Sequence, residues 1–273
     1  EDRRRPDLAW RFLNRYLEAT GDYHGLELLR FYAAYRALVR AKVHALRARQ
    51  PHIEESERSR LDAVTREYLA LASRYAAPGR PALLITHGLS GSGKTTATQS
   101  LLERIGAVRV RSDIERKRLR GLPVLARTGS APGAGLYTKE LTAETYQRLH
   151  VLAGSIVEAG YCAIVDAAFL KRAERDAFRA LAATLGIPFL TLAFAAPQAV
   201  LAERVTQRLH SSADASEADL AVLQRQLEFR EPIGPDEDSA TLHIDSDAPP
   251  LPAVWEQVTQ RLSMNRSTRS TAI

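Results

Sequence analysis

Apolar positions recur at helical spacing through the first third of the chain and gather into short continuous runs through the rest. From Pro6, a residue suited to a helix start, Leu8, Ala9, Phe12, Leu13, Tyr16 and Leu17 form a stripe with a 3.6-residue period. The run from Thr20 to Gly25 breaks it. A second helix is predicted from Leu26 to about Arg49, with Leu28, Leu29, Tyr32, Tyr35, Leu38, Val39, Val43 and Leu46 on one side. A third is predicted from about Glu54 to Tyr75. Ala77-Pro78-Gly79-Arg80-Pro81 is a linker by composition.

From Pro81 the pattern changes. Ala82–Ile85, Ala107–Val110, Cys162–Asp166, Phe189–Phe194 and Thr241–Asp245 read as strands, and helical patterns separate them. Such alternation predicts an α/β fold with a parallel sheet. Helices are expected from Ser112, from a Thr138 cap to about Ala159, over Lys171–Leu185 and Pro197–Leu209, and over Pro252–Leu262. Ser216-x-x-Asp219 reads as a capping box for a helix to about Arg230. Gly121–Lys139, rich in Gly and Pro, is expected to be a mobile loop, and His210–Ser216 a polar one. The expected organisation is an all-helical segment over 1–79, an α/β domain over 80–263, and a disordered polar tail over 264–273.

Between the first strand and the helical run from Thr96 to Arg104 lies Gly88-Leu89-Ser90-Gly91-Ser92-Gly93-Lys94-Thr95. The spacing G-x-x-x-x-G-K-[ST] between a strand and a helix is that of a phosphate-binding P-loop. Glycines let the backbone curl so that successive N–H groups point at a phosphate, and the helix N-terminus behind them adds positive potential. Gly88 to Thr95, with Thr96, are therefore the candidate ATP-binding residues. Lys94 is placed to reach the β- and γ-phosphates, and the Thr95 hydroxyl to ligate Mg²⁺.

In an open α/β sheet, ligands bind beyond the carboxyl ends of the strands. Asp113 and Arg116 follow the second strand at i,i+3. The carboxylate suits a base for an attacking hydroxyl and the guanidinium an acceptor-binding group, although Ser112 or Asp113 could instead be an N-cap. Asp166 ends the third strand, where it could hold the Mg²⁺ shell and border the substrate or cap the next turn. Arg204 and Arg208 share a helix face and are candidates for a closing lid that neutralises phosphoryl charge; the alternative is a solvated face.

Composition narrows this further. The formal net charge is +6, but residues 1–80 carry 16 Lys and Arg against 11 Asp and Glu, interleaved at helical spacing. That reads as a solvated helix face with ion pairs rather than a nucleic-acid footprint. No apolar run approaches the roughly 18 residues of a membrane span, and no signal-peptide pattern is present. The chain opens Glu1-Asp2-Arg3-Arg4-Arg5, without Met, as a piece of a longer polypeptide would. The single cysteine, Cys162, excludes an internal disulfide, so a cytoplasmic location is expected.

Residues 81–262 resemble the small P-loop kinases often grouped as AAA-family ATPases or predicted kinases. Gluconate and shikimate kinases and the polynucleotide 5′-kinases are relatives of that fold. The resemblance rests on Gly88–Thr95, on Arg111-Ser112-Asp113-Ile114-Glu115-Arg116-Lys117, and on Val165-Asp166-Ala167-Ala168-Phe169-Leu170. It implies a P-loop NTPase three-layer sandwich with a parallel five-stranded sheet. It also implies Asp113 and Arg116 as base and acceptor-binding pair, and Arg204 or Arg208 as the lid arginine. Ala168 departs from the family pattern, which has Thr there. Residues 1–76 resemble the end of an aminoglycoside-phosphotransferase-like domain, through Leu13-Asn14-Arg15-Tyr16-Leu17, Thr20-Gly21-Asp22-Tyr23 and Tyr35-Arg36-Ala37. An upstream remainder of that domain in the same polypeptide is therefore expected. The function expected is transfer of the ATP γ-phosphate to a small-molecule hydroxyl, with Lys94, Asp113, Arg204 and Arg208 as catalytic groups. The alternatives are a polynucleotide 5′-hydroxyl kinase, which keeps nucleic acid open as a partner, and a non-catalytic ATP-binding regulatory module.

Overall fold

The computed structural model describes residues 5–130, 133–211, 215–247 and 252–267. Its five strands are β1 (Ala82–His87), β2 (Ala107–Arg111), β3 (Cys162–Asp166), β4 (Phe189–Ala195) and β5 (Thr241–Asp245). They form one sheet in the order β2-β3-β1-β4-β5, and every neighbouring pair is parallel. β1 lies at the centre, with Ile85 opposite Val165 on one side and Thr191 on the other. All six of its residues are buried, as a strand covered on both faces requires.

Eleven helices are described: α1 (Pro6–Thr20), α2 (Leu26–Ala48), α3 (Glu55–Ala76), α4 (Lys94–Ile105), α5 (Ser112–Leu119), α6 (Lys139–Glu158), α7 (Arg172–Thr184), α8 (Gln198–Ser211), α9 (Leu220–Phe229), α10 (Pro235–Asp238) and α11 (Pro252–Ser267). On one face of the sheet, Leu84, Ile164 and Leu192 pack with Leu101 of α4 and Trp255 and Val258 of α11. On the other, Leu83, Ile85 and Val165 pack with Ile156 of α6 and Phe178 of α7. The fold is a three-layer α/β sandwich with a parallel five-stranded sheet, preceded by α1–α3.

Helices α2 and α3 form a hairpin. Arg47 bonds Glu57 at the turn, and Arg30 reaches the Tyr75 carbonyl at the open end. Their seam is made by Ala37 and Ala41 against Tyr68, Leu71 and Ala72. The small alanines allow close approach, so the large apolar side chains of α2 face outward. Leu28, Tyr32, Tyr35, Leu38, Val43 and Leu46 are all exposed. The stripe read from the sequence exists, but most of it is not the buried face.

Helix α1 instead docks on the sheet. β2 is an edge strand, and edge strands leave backbone groups unpaired. The Asn14 side chain covers that edge: its amide donates to the Ala107 carbonyl (2.9 Å) and its oxygen accepts from the Arg109 N–H (2.7 Å). Trp10 packs over Gly106, whose φ of 69° and close ring contact leave no room for a Cβ. Leu17 enters the main core.

Three boundaries move. Asp219, not Ser216, is the N-cap of α9, accepting from Val222 N–H at 2.8 Å. Helix α8 continues to Ser211, into the expected polar loop, of which 212–214 lie outside the described residues. Helix α11 continues to Ser267, so part of the expected tail is helical, while 268–273 lie outside the described residues. Within 121–139, expected as a mobile loop, Gly135–Tyr137 forms a 3₁₀ turn and 131–132 lie outside the described residues. Lys117 ties the start of this segment down, donating to the Val124 and Ala126 carbonyls at 3.0 and 2.7 Å.

Candidate active site

The loop from Gly88 to Gly93 curls over the N-terminus of α4. A Cβ at Gly88 would lie 2.5 Å from the Phe194 carbonyl oxygen, and one at Gly91 would lie 2.6 Å from the Leu201 carbonyl oxygen. Both residues have positive φ, so only glycine fits. The Lys94 ammonium folds back on its own loop, donating to the Gly88 and Leu89 carbonyls at 2.8 Å each and to Ser92 Oγ at 3.3 Å. Desolvation lowers its pKa to about 8. Ser90, Gly91, Gly93, Lys94, Thr95 and Thr96 line a cavity of about 920 Å³. Gly88, Leu89 and Ser92 shape the loop without lining it: Leu89 anchors in an apolar cluster with Leu201, Val205 and Leu223.

Thr95 and Asp166 meet in the same cavity, with Thr95 Oγ1 donating to Asp166 Oδ2 at 2.7 Å. The register that puts Arg111 opposite Asp166 also brings the Arg111 guanidinium within 3.7 Å of that carboxylate. Asp166 thus bonds Thr95 rather than capping its own turn. A hydroxyl and a carboxylate oxygen side by side are the hard donors that Mg²⁺ takes, and they fit a partly hydrated ion that also binds phosphate oxygens. Among the described residues no group of three or more His, Cys, Asp or Glu could hold a metal.

Asp113 and Arg116 face each other on the first turns of α5, with Arg116 Nη1 donating to Asp113 Oδ1 at 2.9 Å. Neither Ser112 nor Asp113 caps the helix, whose N-cap is Arg111 without a side-chain bond. Arg116 also lies over the Tyr137 ring, 5.4 Å from its centroid. Arg204 and Arg208 line the cavity from α8; their guanidinium groups donate to the Ser246 and Ala218 carbonyls at 2.8 and 2.9 Å. One cavity therefore brings together Lys94, Thr95, Asp166, Asp113, Arg116, Arg204 and Arg208.

Several groups at or beside the cavity could not be placed from sequence. Gln226 of α9 accepts from the Ser90 N–H at 2.8 Å, and Arg225 sits against Gly133. Glu217 lies in the α8–α9 connection and accepts from Thr128 N–H at 2.7 Å, so it ties that connection to the segment after α5. These depend on long-range placement and carry no local signal. The turn after β3 is held in an unusual conformation, with Phe169 at φ 47°. Its N–H donates to Tyr146 Oη, and its carbonyl accepts from Arg175 and from His87 Nδ1. His87 thus carries its proton on Nδ1, and burial lowers its pKa to about 4.

The model of the family described as an AAA domain matches residues 83–233, more than half of the chain. The chain belongs to the AAA domain family. Among curated relatives of this AAA domain chain, the uncharacterized protein Rv2004c of Mycobacterium tuberculosis is 30% identical over 226 residues. The match covers 82% of this chain and 44% of that protein, so the chain spans less than half the length of the curated relatives it matches. Two solved structures share the fold. A protein of Chloroflexus aurantiacus described as a candidate kinase has a TM-score of 0.53 at 21% identity, covering 67% of this chain and 99% of the other. Kti12 of Chaetomium thermophilum, solved with ADP-AlF3, has a TM-score of 0.52 at 16% identity, covering 67% of this chain and 98% of the other. At these identities the likeness is one of fold.

Proposed function

We propose that the chain is an ATP- and Mg²⁺-dependent phosphotransferase that moves the γ-phosphate to a hydroxyl of a small-molecule acceptor. One observation carries this reading: a P-loop and a carboxylate–arginine pair line a single 920 Å³ cavity. The loop amides and Lys94 hold the triphosphate, Lys94 exchanging its carbonyl partners for phosphate oxygens. Thr95 and Asp166 hold Mg²⁺, which when bound neutralises charge on the β- and γ-oxygens. Arg116 binds the acceptor and Asp113 accepts the proton of its hydroxyl. The oxygen–phosphorus bond forms as the bond between the γ-phosphorus and the ADP oxygen breaks. Arg204 and Arg208 offset the charge on the transferring group. The ordinary setting for this chemistry is the cytoplasm.

Two variants test it. Lys94→Ala is expected to lose ATP affinity by at least about tenfold, since a phosphate contact of this kind is worth roughly 1.5–3 kcal/mol. Asp113→Asn is expected to bind ATP as the wild type does and to lose transfer by about 10²–10⁴-fold, the usual contribution of a positioned base. A screen of small hydroxyl acceptors by ATP consumption supplies the assay. Should Asp113→Asn consume ATP at the wild-type rate with every acceptor, the kinase reading fails and an ATP-binding regulatory module replaces it. The Asp113–Arg116 pair also favours a second reading, a polynucleotide 5′-hydroxyl kinase; phosphate appearing on an oligonucleotide 5′-OH and on no small acceptor would establish it.

The exposed apolar row on α2 supports a further domain covering it in the same polypeptide; we propose that this domain is the upstream, aminoglycoside-phosphotransferase-like remainder, and that of the helical segment 1–79 the α2–α3 hairpin faces it while α1 docks on the sheet.

A further inference from the structure

Arg109 of β2 is only 3% exposed, flanked by Val108 and Val110 in the edge strand. Burying a guanidinium is costly unless its charge and its N–H groups are matched. The two Nη groups are matched from two directions, and Nε alone is left without a hydrogen-bond partner. On the side of α4, Nη1 donates to the Thr95 carbonyl (2.8 Å) and Thr98 Oγ1 (3.1 Å), and Nη2 donates to Gln99 Oε1 (3.0 Å). On the side of α1, Nη2 donates to Glu18 Oε1 at 3.2 Å. Glu18 is itself 4% exposed, and it is the only carboxylate bonded to Arg109 among the described residues. Its backbone carbonyl is held in turn by Arg118 Nη2 at 2.6 Å. A continuous chain of buried and part-buried contacts thus runs from α1 through Arg109 to the backbone of Thr95, whose hydroxyl bonds Asp166.

We infer that Glu18 and Arg109 are positioning residues for the Mg²⁺ pair, so that helix α1 sets the metal-binding geometry of the phosphate loop it does not belong to. The inference rests on the nucleotide reading above. Arg109 is the clamp on the first turn of α4, fixing the Thr95 carbonyl and with it the direction of Thr95 Oγ1. Glu18 neutralises and orients the clamp. Without Glu18 the guanidinium is left buried beside the phosphate loop with no counter-charge, and it turns toward the cavity that Arg109 and Gln99 already line. Two consequences have opposite signs. A stray positive charge near the phosphates favours nucleotide alone, while a misplaced Thr95 disfavours Mg²⁺. Their separation makes the idea testable.

The measurement is nucleotide affinity of the full chain by calorimetry, with ATP in EDTA and with ATP in excess Mg²⁺, for wild type, Glu18→Gln and Glu18→Ala. The expected result is that Glu18→Ala loses at least fivefold of the gain that Mg²⁺ confers, while affinity for ATP in EDTA is unchanged or tighter. Glu18→Gln, which keeps an acceptor but not the charge, is expected to fall between. Thermal unfolding of both variants identifies the temperature at which each is folded, and affinities are compared there. Equal loss in EDTA and in Mg²⁺, or no loss in either, overturns the positioning role while leaving the nucleotide reading intact. A wild-type chain that binds no ATP overturns that reading and this inference together.

Discussion

Lys94 and His87 lie seven residues apart, and burial acts on both, yet the two titrations have opposite fates. The Lys94 ammonium titrates at about 8 because it is desolvated among its own loop carbonyls. A triphosphate supplies negative charge and raises that pKa, so binding above pH 8 takes up a proton. Affinity for ATP is therefore expected to be flat below about pH 7.5 and to fall by up to about tenfold per unit above pH 8. Calorimetry in buffers of different ionisation enthalpy would show the proton uptake; affinity unchanged from pH 7 to 9.5 would rule the account out. His87 is neutral in the fold, with a pKa of about 4 against an ordinary 6.5. The unfolded chain binds more protons than the folded one between those values, so this residue's contribution is complete above about pH 6.5 and is lost as pH falls toward 4. The loss amounts to at most about 3 kcal/mol. His87→Gln is expected to flatten the pH dependence of urea unfolding over that window, and an unflattened slope would assign it elsewhere.

Among the elements, helix α1 carries the least obvious assignment. Asn14 offers the β2 edge one donor and one acceptor in the spacing that another strand would supply. Asn14→Ala leaves a buried carbonyl and a buried N–H without partners, a loss of about 2–4 kcal/mol. Urea unfolding would measure it, and hydrogen exchange at Arg109 should accelerate; a variant within 0.5 kcal/mol of wild type, the range of ordinary surface changes, would contradict the edge-capping role. The strands were legible from sequence because a parallel sheet covered on both faces writes itself as unbroken apolar runs. The phosphate loop was legible because its spacing is fixed by the geometry of phosphate binding. Asn14, Glu18 and Arg109 were not legible, since a polar residue that pairs across more than ninety positions of sequence looks like any solvated one. The stripe on α2 shows the complementary limit. Periodicity reports that apolar residues share a side of a helix, not whether anything covers that side, and here the alanines form the packed seam. Ser216 misled for a smaller reason: Asp219 also satisfies an N-cap, and the helix begins there.

At the scale of the molecule, apolar surface is distributed unevenly. Leu28, Phe31, Tyr32, Tyr35, Leu38 and Leu46 form an exposed row along α2, with Phe12 and Tyr16 of α1 also exposed. Contiguous apolar surface of this kind is uncommon on a monomeric soluble protein and marks a place where something packs. None of these residues lines the 920 Å³ cavity. The row is therefore separable from the proposed nucleotide site. In the isolated chain, the double substitution Phe31→Glu and Tyr35→Glu should reduce concentration-dependent association, seen by sedimentation velocity, and should lower the binding of an apolar dye. ATP affinity should stay within twofold of wild type. In a longer polypeptide that contains the proposed upstream domain, the same pair should act in the reverse sense if that domain covers the row: burying two carboxylates in an apolar interface costs several kcal/mol, so the domains should part and the dye should bind more. A chain that neither associates nor binds dye, before or after substitution, would mean that the row is ordinary surface and that α2 awaits no partner.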